Sequence, residues 1–389
     1  MLTELIIHNP DLKKLSNEGY VLQYTHSYLL VHKVPYVTSE RKIKRGILIT
    51  HLHQSGDRTL KPNNHVAYFI GEQPCNKDGT IITAIKNDSG PLKITDQITA
   101  DLTFSGKADD ADYYEKVTRY VNILTAPAQA IDETVTAKTR EFIEPIDENS
   151  PFWYADTNTS KAVIIPISKK LEGQKIAIIG MGGTGSYVLD LVAKTPVAAI
   201  HIFDGDIFLQ HNAFRAPGAA GKEKFFEQLL KTEYYHTIYS NMHKHIYPHP
   251  YYINNGNINE LKEMDFIFIC IDSGVIKDEI FTLLEQCKIP FIDTGLGVQD
   301  IDGSLKGQVR VTTSTVQKRD HIRKRVSIAE VGENIYDKNI QIADLNSLNA
   351  ALAVIKWKKL FGFYNDLDHE HYTSYVIYTN ETTNEDFSV

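Results

Sequence analysis

The chain has 389 residues, 42% of them hydrophobic, enough apolar material for two ordinary domains with separate cores. Its formal net charge of −8 comes from 49 acidic and 41 basic side chains with no basic stripe, which disfavours nucleic acid as the main partner, because phosphate contacts supply most of such affinity. Residues Met1 to Pro10 have neither a basic start nor a long apolar core, and no segment approaches the roughly 20 apolar residues of a membrane helix, so a cytoplasmic protein without membrane contact is expected.

In chain order, a short helical stretch near Pro10 to Ser16 precedes β-rich runs at Tyr20 to Tyr24, Tyr28 to His32, Gly46 to Thr50 and His65 to Ile70. Residues 1–108 therefore read as a small α+β domain. From Asp109 the spacing of Tyr113, Val117, Tyr120, Val121 and Leu124 is helical, interrupted by Pro127, and residues 109–150 read as a helical connector. Pro145, Asn149, Ser150 and Pro151 mark a boundary.

Residues 151–389 change rhythm to strand, helix, strand: Lys175 to Ile179, Thr184 to Lys194, Ala199 to Phe203, then Asp265 to Ile271, Val275 to Cys287 and Pro290 to Asp293. Strands apolar throughout that alternate with helices predict a parallel sheet covered on both faces, an α/β, Rossmann-like doubly wound fold. Near the end, Ala343 to Phe361 reads as an amphipathic helix that packs on the sheet or on a partner.

Gly180, Gly182 and Gly185 fit GxGxxG directly between a strand and a helix, which lets backbone approach a phosphate and aims a helix N-terminus at it. Asp204 ends the next strand, where an acid can hold a ribose, so NAD and ATP fit equally well up to this point. Asp206, Asn212, Arg215 and Lys224 follow closely. An amide and several cations suit an enzyme that splits ATP between its α- and β-phosphates better than one that transfers hydride.

The sequences Gly180-Met-Gly-Gly-Thr-Gly-Ser186, Asp204-Gly-Asp206, Asn212-Ala-Phe-Arg215 and Gly221-Lys-Glu-Lys224, followed by Cys270-Ile-Asp272, resemble the motifs of the ThiF/MoeB and ubiquitin-activating-enzyme superfamily over roughly residues 160 to 365. The resemblance implies an ATP-binding adenylation domain. In it Gly180, Gly182, Gly183, Thr184, Gly185 and Ser186 would cradle the nucleotide, Asp204 would bind the ribose, Asp206 would either join the nucleotide site or order its own loop, Asn212, Arg215 and Lys224 (with Lys222 as the rival lysine) would hold the phosphates, and Asp272 would place Mg²⁺. Arg215, Lys224 and Asp272 would carry the chemistry. The substrate implied is the C-terminal carboxylate of a ubiquitin-like protein or peptide, with a conjugating enzyme as a further partner and a homodimer as the assembly. Alternatives are an inactive ATP-binding scaffold of a heteromeric enzyme, an adenylating enzyme for a small molecule or tRNA, and an NAD-dependent oxidoreductase.

The chain departs from the superfamily in lacking CxxC pairs and a cysteine downstream of the last core strand, where relatives form a thioester. Cys270 and Cys287 read as buried thiols, which leaves Cys75, in a loop-like context, as the one candidate for acyl transfer, although an inert thiol is the favoured reading there too. Lys161 stands where the superfamily commonly has an arginine, a change that is not neutral at a phosphate. The N-terminal region loosely resembles a domain fused to adenylation domains in bacterial ubiquitin-like conjugation and antiviral defence clusters. Within it, His51, His53 and His65 read either as a metal pair with a neighbour or as ordinary surface and core histidines.

Overall fold

The computed structural model describes residues 5–6, 8–95, 98–141, 150–154, 156, 158–159, 162, 164–272, 274–326 and 340–388; Lys161 lies outside them. The chain divides into two compact units, Met1–Glu148 with Tyr154–Ile165 and Asn149–Trp153 with Pro166–Val389. Among the described residues no helix is long and apolar enough to cross a membrane.

The first unit opens with helix α1, Pro10–Glu18, whose proline occupies the first turn, where a missing N–H costs nothing. Gly19 ends it in the left-handed region, φ 101°, with its N–H returning to Ser16 O. Strands β1 (Val21–Thr25), β2 (Tyr28–Val37), β3 (Ile43–His51), β6 (Val66–Ile70), β7 (Lys86–Lys93) and β8 (Thr99–Ser105) form an antiparallel sheet in the order β1-β2-β3-β6-β8-β7, while β4 (Gln54–Ser55) and β5 (Arg58–Thr59) make a small separate ribbon.

Helix α2, Tyr113–Gln129, belongs to this unit's core and is not a free connector: Tyr113, Val117, Tyr120, Val121 and Leu124 all sit in the same cluster as Leu12, Leu29, Val31 and Phe69. Pro127 lies inside the helix instead of ending it. A proline so near the C-terminus removes one donor, and burial of the helix's apolar face outweighs that loss. Lys116 shares the buried face; its ammonium donates to Asn64 O at 2.9 Å, and burial lowers its pKa from 10.5 to about 8.

The second unit is built on an eight-stranded sheet ordered β11-β10-β9-β12-β13-β14-β15-β16. Its parallel part comprises β9 (Lys175–Ile179), β10 (Ala199–Phe203), β11 (Ile246–His249), β12 (Phe266–Ile269) and the start of β13 (Phe291–Ile301). Ile179, Phe203, Ile269 and Asp293 align across the sheet, so β9, β10 and β12 end flush while β13 continues past them. Chain order runs outward from β9 to β10 and β11, then returns to β12 on the other side. That reversal makes the gap between β9 and β12 a topological switch point, where doubly wound sheets open a crevice.

Helices α3 (Gly183–Val192), α4 (Lys231–Tyr239), α5 (Gly274–Cys287) and α6 (Ala343–Leu360) cover this sheet. Of the two placements read for the last helix, the sheet is the one observed: Ala350, Ala353, Val354 and Trp357 join the core with Ile176, Ile178 and Phe268. Strand β13 runs eight residues past Asp293 and returns as β14 (Ser304–Ser314), a hairpin the sequence reading had stopped short of. Its turn is Asp302-Gly303 with φ 55° and 76°, values that an Asp-Gly pair tolerates. The antiparallel edge continues through β15 (Tyr372–Val376) and β16 (Glu381–Glu385).

Two consequences are measurable. Trp357 is fully buried and bonds Gln174 Oε1 through its ring N–H at 3.1 Å, so Trp357→Ala is expected to destabilise the second unit by about 3–5 kcal/mol, read from its denaturant midpoint. Lys116 holds its proton up to about pH 8 when folded and up to 10.5 when unfolded, so between those values the unfolded chain binds more protons and stability rises with pH. Lys116→Met is expected to remove this rise, on the order of 3 kcal/mol, when wild type and variant are unfolded in parallel between pH 8 and 10.5.

Candidate nucleotide site at the switch point

The glycine loop leaves β9 at the switch point, and each glycine answers to a different neighbour. Gly180 has φ 91°, donates its N–H to Phe203 O at 2.8 Å, and would carry a Cβ only 2.6 Å from Ile271 Cγ2 and 2.7 Å from Cys270 O. A Cβ on Gly185 would fall 1.9 Å from Gly180 O, and one on Gly183 would fall 2.0 Å from Asn346 Nδ2. At Gly182 nothing lies within 4 Å of that position. Three glycines are thus packed shut by protein, and the fourth faces open space at the start of α3, where first-turn amides and the helix dipole favour an anion. Thr184 donates its hydroxyl to Asn346 Oδ1 at 3.1 Å; Ser186 is buried and donates to Gly183 O at 2.7 Å.

Asp204 follows β10 directly and is 7% exposed. Its Oδ2 accepts the Met181 N–H at 2.7 Å and its Oδ1 the Asp206 N–H at 2.8 Å, so one carboxylate ties the glycine loop to the loop after β10. Lys231, buried at the start of α4, completes the arrangement: its ammonium lies 2.6 Å from Asp206 Oδ2 and 3.5 Å from Asp204 Oδ2. The Tyr252 hydroxyl donates to Asp206 Oδ1. Burial raises the pKa of Asp206, but the bonds from Lys231 and Tyr252 outweigh it and hold the carboxyl below its ordinary value. The same bond to Asp206 pushes the Tyr252 hydroxyl up to about 12. Lys231 and Tyr252 escaped the sequence reading because neither belongs to a local motif.

Beyond β10, Asn212 is buried and its Oδ1 accepts the Leu209 N–H at 2.8 Å, bracing the turn that carries Arg215. The Arg215 carbonyl accepts from Asn346 Nδ2 at 3.3 Å. Its Nε is buried with no hydrogen-bond partner among the described residues, a donor that the protein leaves uncommitted. Lys224 sits on the 3₁₀ turn Lys222–Phe225 and donates to Glu227 Oε1 at 2.9 Å, a bond that raises its pKa. The structure therefore brings the glycine loop, Asp204, Asp206, Arg215 and Asn346 together, and it places Lys224 on Glu227. A cleft of about 540 Å³ lined by Leu209, Gln210, His211 and Phe214 runs along the same segment.

On the far side of the switch point, Asp272 is exposed just beyond β12, next to Ile271, whose side chain lies against Gly180. An exposed carboxylate at a strand end suits Mg²⁺, which commonly takes one or two protein carboxylates together with substrate phosphates. Among the described residues no group of three or more His, Cys, Asp or Glu is placed to hold a metal ion by itself. Asp293 is fully buried, with Lys277 Nζ at 2.7 Å and Arg310 Nη2 at 3.4 Å. In the first unit, His53 Nδ1 meets Lys61 O, His65 Nε2 meets Ser105 Oγ, and the His51 ring stands edge-on to Tyr28.

One cysteine expectation is corrected. Cys287 is exposed, because it is the last residue of α5 and falls past the helix's buried face. Cys75 is fully buried between Val37 and Ile81, and burial raises its thiol pKa, so it is neither accessible nor readily ionised for acyl transfer. Cys270, packed near Gly185, has its thiol pushed up to about 12, chiefly by burial.

The pattern of a domain of unknown function, DUF6791, matches residues 10–157, and that of the ThiF family matches residues 157–355. No curated protein matches. Solved structures similar to this chain include the microcin C7 biosynthetic enzyme MccB in complex with N-formylated MccA, at 15% identity over 78% of this chain and 96% of that one, with a TM-score of 0.49. Escherichia coli MccB with ATP is 16% identical over 60% of this chain and 72% of that one, TM-score 0.49, and PaaA is 14% identical over 71% and 87%, TM-score 0.46. All three likenesses are distant. The ThiF match, by contrast, spans half the chain and contains the glycine loop, the Asp204–Lys231 arrangement, Arg215 and Asp272, and by it the chain belongs to the ThiF family, with an adenylyltransferase-type domain.

Proposed function

We propose that this protein uses ATP to adenylate a carboxylate, and that the substrate is the C-terminal carboxylate of a peptide or ubiquitin-like protein. The observation that carries this reading is the open side of Gly182 at the switch point, in the same site as the uncommitted Nε of Arg215. A triphosphate laid there would meet the first-turn amides of α3 and the Arg215 guanidinium, with Lys224 free to exchange Glu227 for a phosphate oxygen. Asp204, whose carboxylate accepts the amides of Met181 and Asp206, keeps the loop in shape on the side given to the ribose, with Asp206 at the surface beside it.

The substrate carboxylate is already ionised at neutral pH and attacks the α-phosphorus without a general base. A bond forms from carboxylate oxygen to the α-phosphorus, the bond from that phosphorus to the bridging oxygen breaks, and pyrophosphate leaves. This chain's residues contribute by positioning and by neutralising charge on the leaving phosphates. Mg²⁺ held at Asp272 would supply further neutralisation of the triphosphate. The choice of a polypeptide C-terminus over a small molecule is supported by the resemblance of the whole motif set to the ubiquitin-activating superfamily, and the acidic chain disfavours tRNA.

Pyrophosphate exchange tests the reaction. Peptides and small proteins with a free C-terminal carboxylate are expected to support exchange into ATP while their C-terminal amides do not, and Asp272→Asn is expected to lower the rate at least 100-fold. ATP binding with no exchange for any candidate would favour a scaffold role, and undiminished exchange in the variant would overturn the place given to Asp272. A second pair of variants separates fold from ligand. Gly182→Ala has room in the free protein and is expected to keep the wild-type melting temperature while weakening ATP binding about tenfold or more; Gly180→Ala is expected to lower the melting temperature itself, as its φ of 91° and crowded Cβ require.

A further inference from the structure

Helix α6 carries two fully buried asparagines, Asn346 and Asn349, three residues apart on the face turned to the sheet. Buried amides are costly unless bonded, and the partners of Asn346 are specific. Its Nδ2 donates to the Arg215 carbonyl at 3.3 Å, its Oδ1 accepts the Thr184 hydroxyl at 3.1 Å, and the amide lies so close over Gly183 that a Cβ there would sit 2.0 Å from Nδ2. One side chain thus joins three segments that are separate in sequence: the phosphate-facing turn of α3, the segment bearing Arg215, and the C-terminal helix. Asn349 Nδ2 binds a different target, Gly295 O at 3.0 Å, and so fixes the same helix to β13.

We infer that Asn346 is a positioning residue of the nucleotide site, setting the distance between the first-turn amides of α3 and the Arg215 guanidinium. The geometry requires this link to act through backbone: Asn346 grips Arg215 by its carbonyl and leaves the side chain alone, and Arg215 Nε has no hydrogen-bond partner among the described residues. It grips α3 through Thr184, one residue past the loop's closed Gly183 and two past its open Gly182. Without the amide, Arg215 and the α3 amides remain present but are no longer held in register, and a triphosphate spanning both loses the arrangement that lets it meet them together. A ligand that lacks phosphates does not span the two and has nothing to lose. This inference rests on ATP being the nucleotide bound.

The test compares ATP with adenosine as probes, each titrated calorimetrically into the full chain with Mg²⁺ present. Asn346→Ala is expected to weaken ATP about tenfold or more while leaving adenosine within about twofold of wild type. Asn346→Ser, a milder change that keeps a polar side chain too short to reach the Arg215 carbonyl, is expected to lower ATP affinity about threefold to tenfold with the same selectivity, and it decides the matter by the same criterion if the Asn346→Ala variant does not fold. Asn346→Gln, which keeps the amide on a longer arm, is expected to recover little, since the amide is pressed against Gly183. Equal loss of ATP and adenosine, or no loss of either, in a folded variant overturns the inference. Failure of the wild-type protein to bind ATP at all would instead remove the adenylation reading beneath it.

Discussion

The carboxylate of Asp204 holds this domain's candidate site together. It sits at the flush end of β10, nearly out of solvent, and accepts one amide from the glycine loop and another from the loop after its own strand, with the Lys231 ammonium within 3.5 Å. Two charged hydrogen bonds from backbone are stronger than neutral ones, and a buried carboxylate without them would be costly. The glycine loop can therefore expose its amides to a ligand without collapsing onto itself. The helix bearing Lys231 meets the same anchor.

The sheet makes such an anchor useful. Because Ile179, Phe203 and Ile269 end level, the loops leaving β9, β10 and β12 start from one edge, and the reversal of strand order at β9 and β12 leaves a crevice there. Fully apolar strands demand cover on both faces, so helices pack above and below and leave only this edge for polar chemistry. Asp206 and Asp272 reach solvent on either side of the crevice, whereas Asp293, one strand further out, is buried in an ion pair with Lys277. Similar carboxylates at similar strand ends thus differ in exposure by what packs over them.

How much of this was legible in the chain depends on sequence distance. The glycine spacing and Asp204-x-Asp206 lie within a few residues of their own strand ends, Asn212-x-x-Arg215 follows in the same loop segment, and the doubly wound architecture follows from the alternation of apolar strands with helices. The helix at 113–129 was legible as a helix but not as core, since periodicity reveals an apolar face without naming what covers it. Cysteine burial was misread for a related reason: Cys75 looks loop-like in sequence but is enclosed by Val37 and Ile81, and Cys287 looks helical but emerges at the helix end.

By itself the sequence determined the local pattern: the glycine loop that joins a strand to a helix, and which residue types gather after the second strand, because these depend on neighbours close along the chain. Only the tertiary structure decided which groups are committed and which are available. Lys231 reaches Asp206 across 25 residues and Asn346 reaches Thr184 across 162, pairings that no spacing rule encodes. The physical reason is that a side chain's availability is set by burial and by hydrogen-bond partners, and both arise only when distant segments pack against the same strand edge.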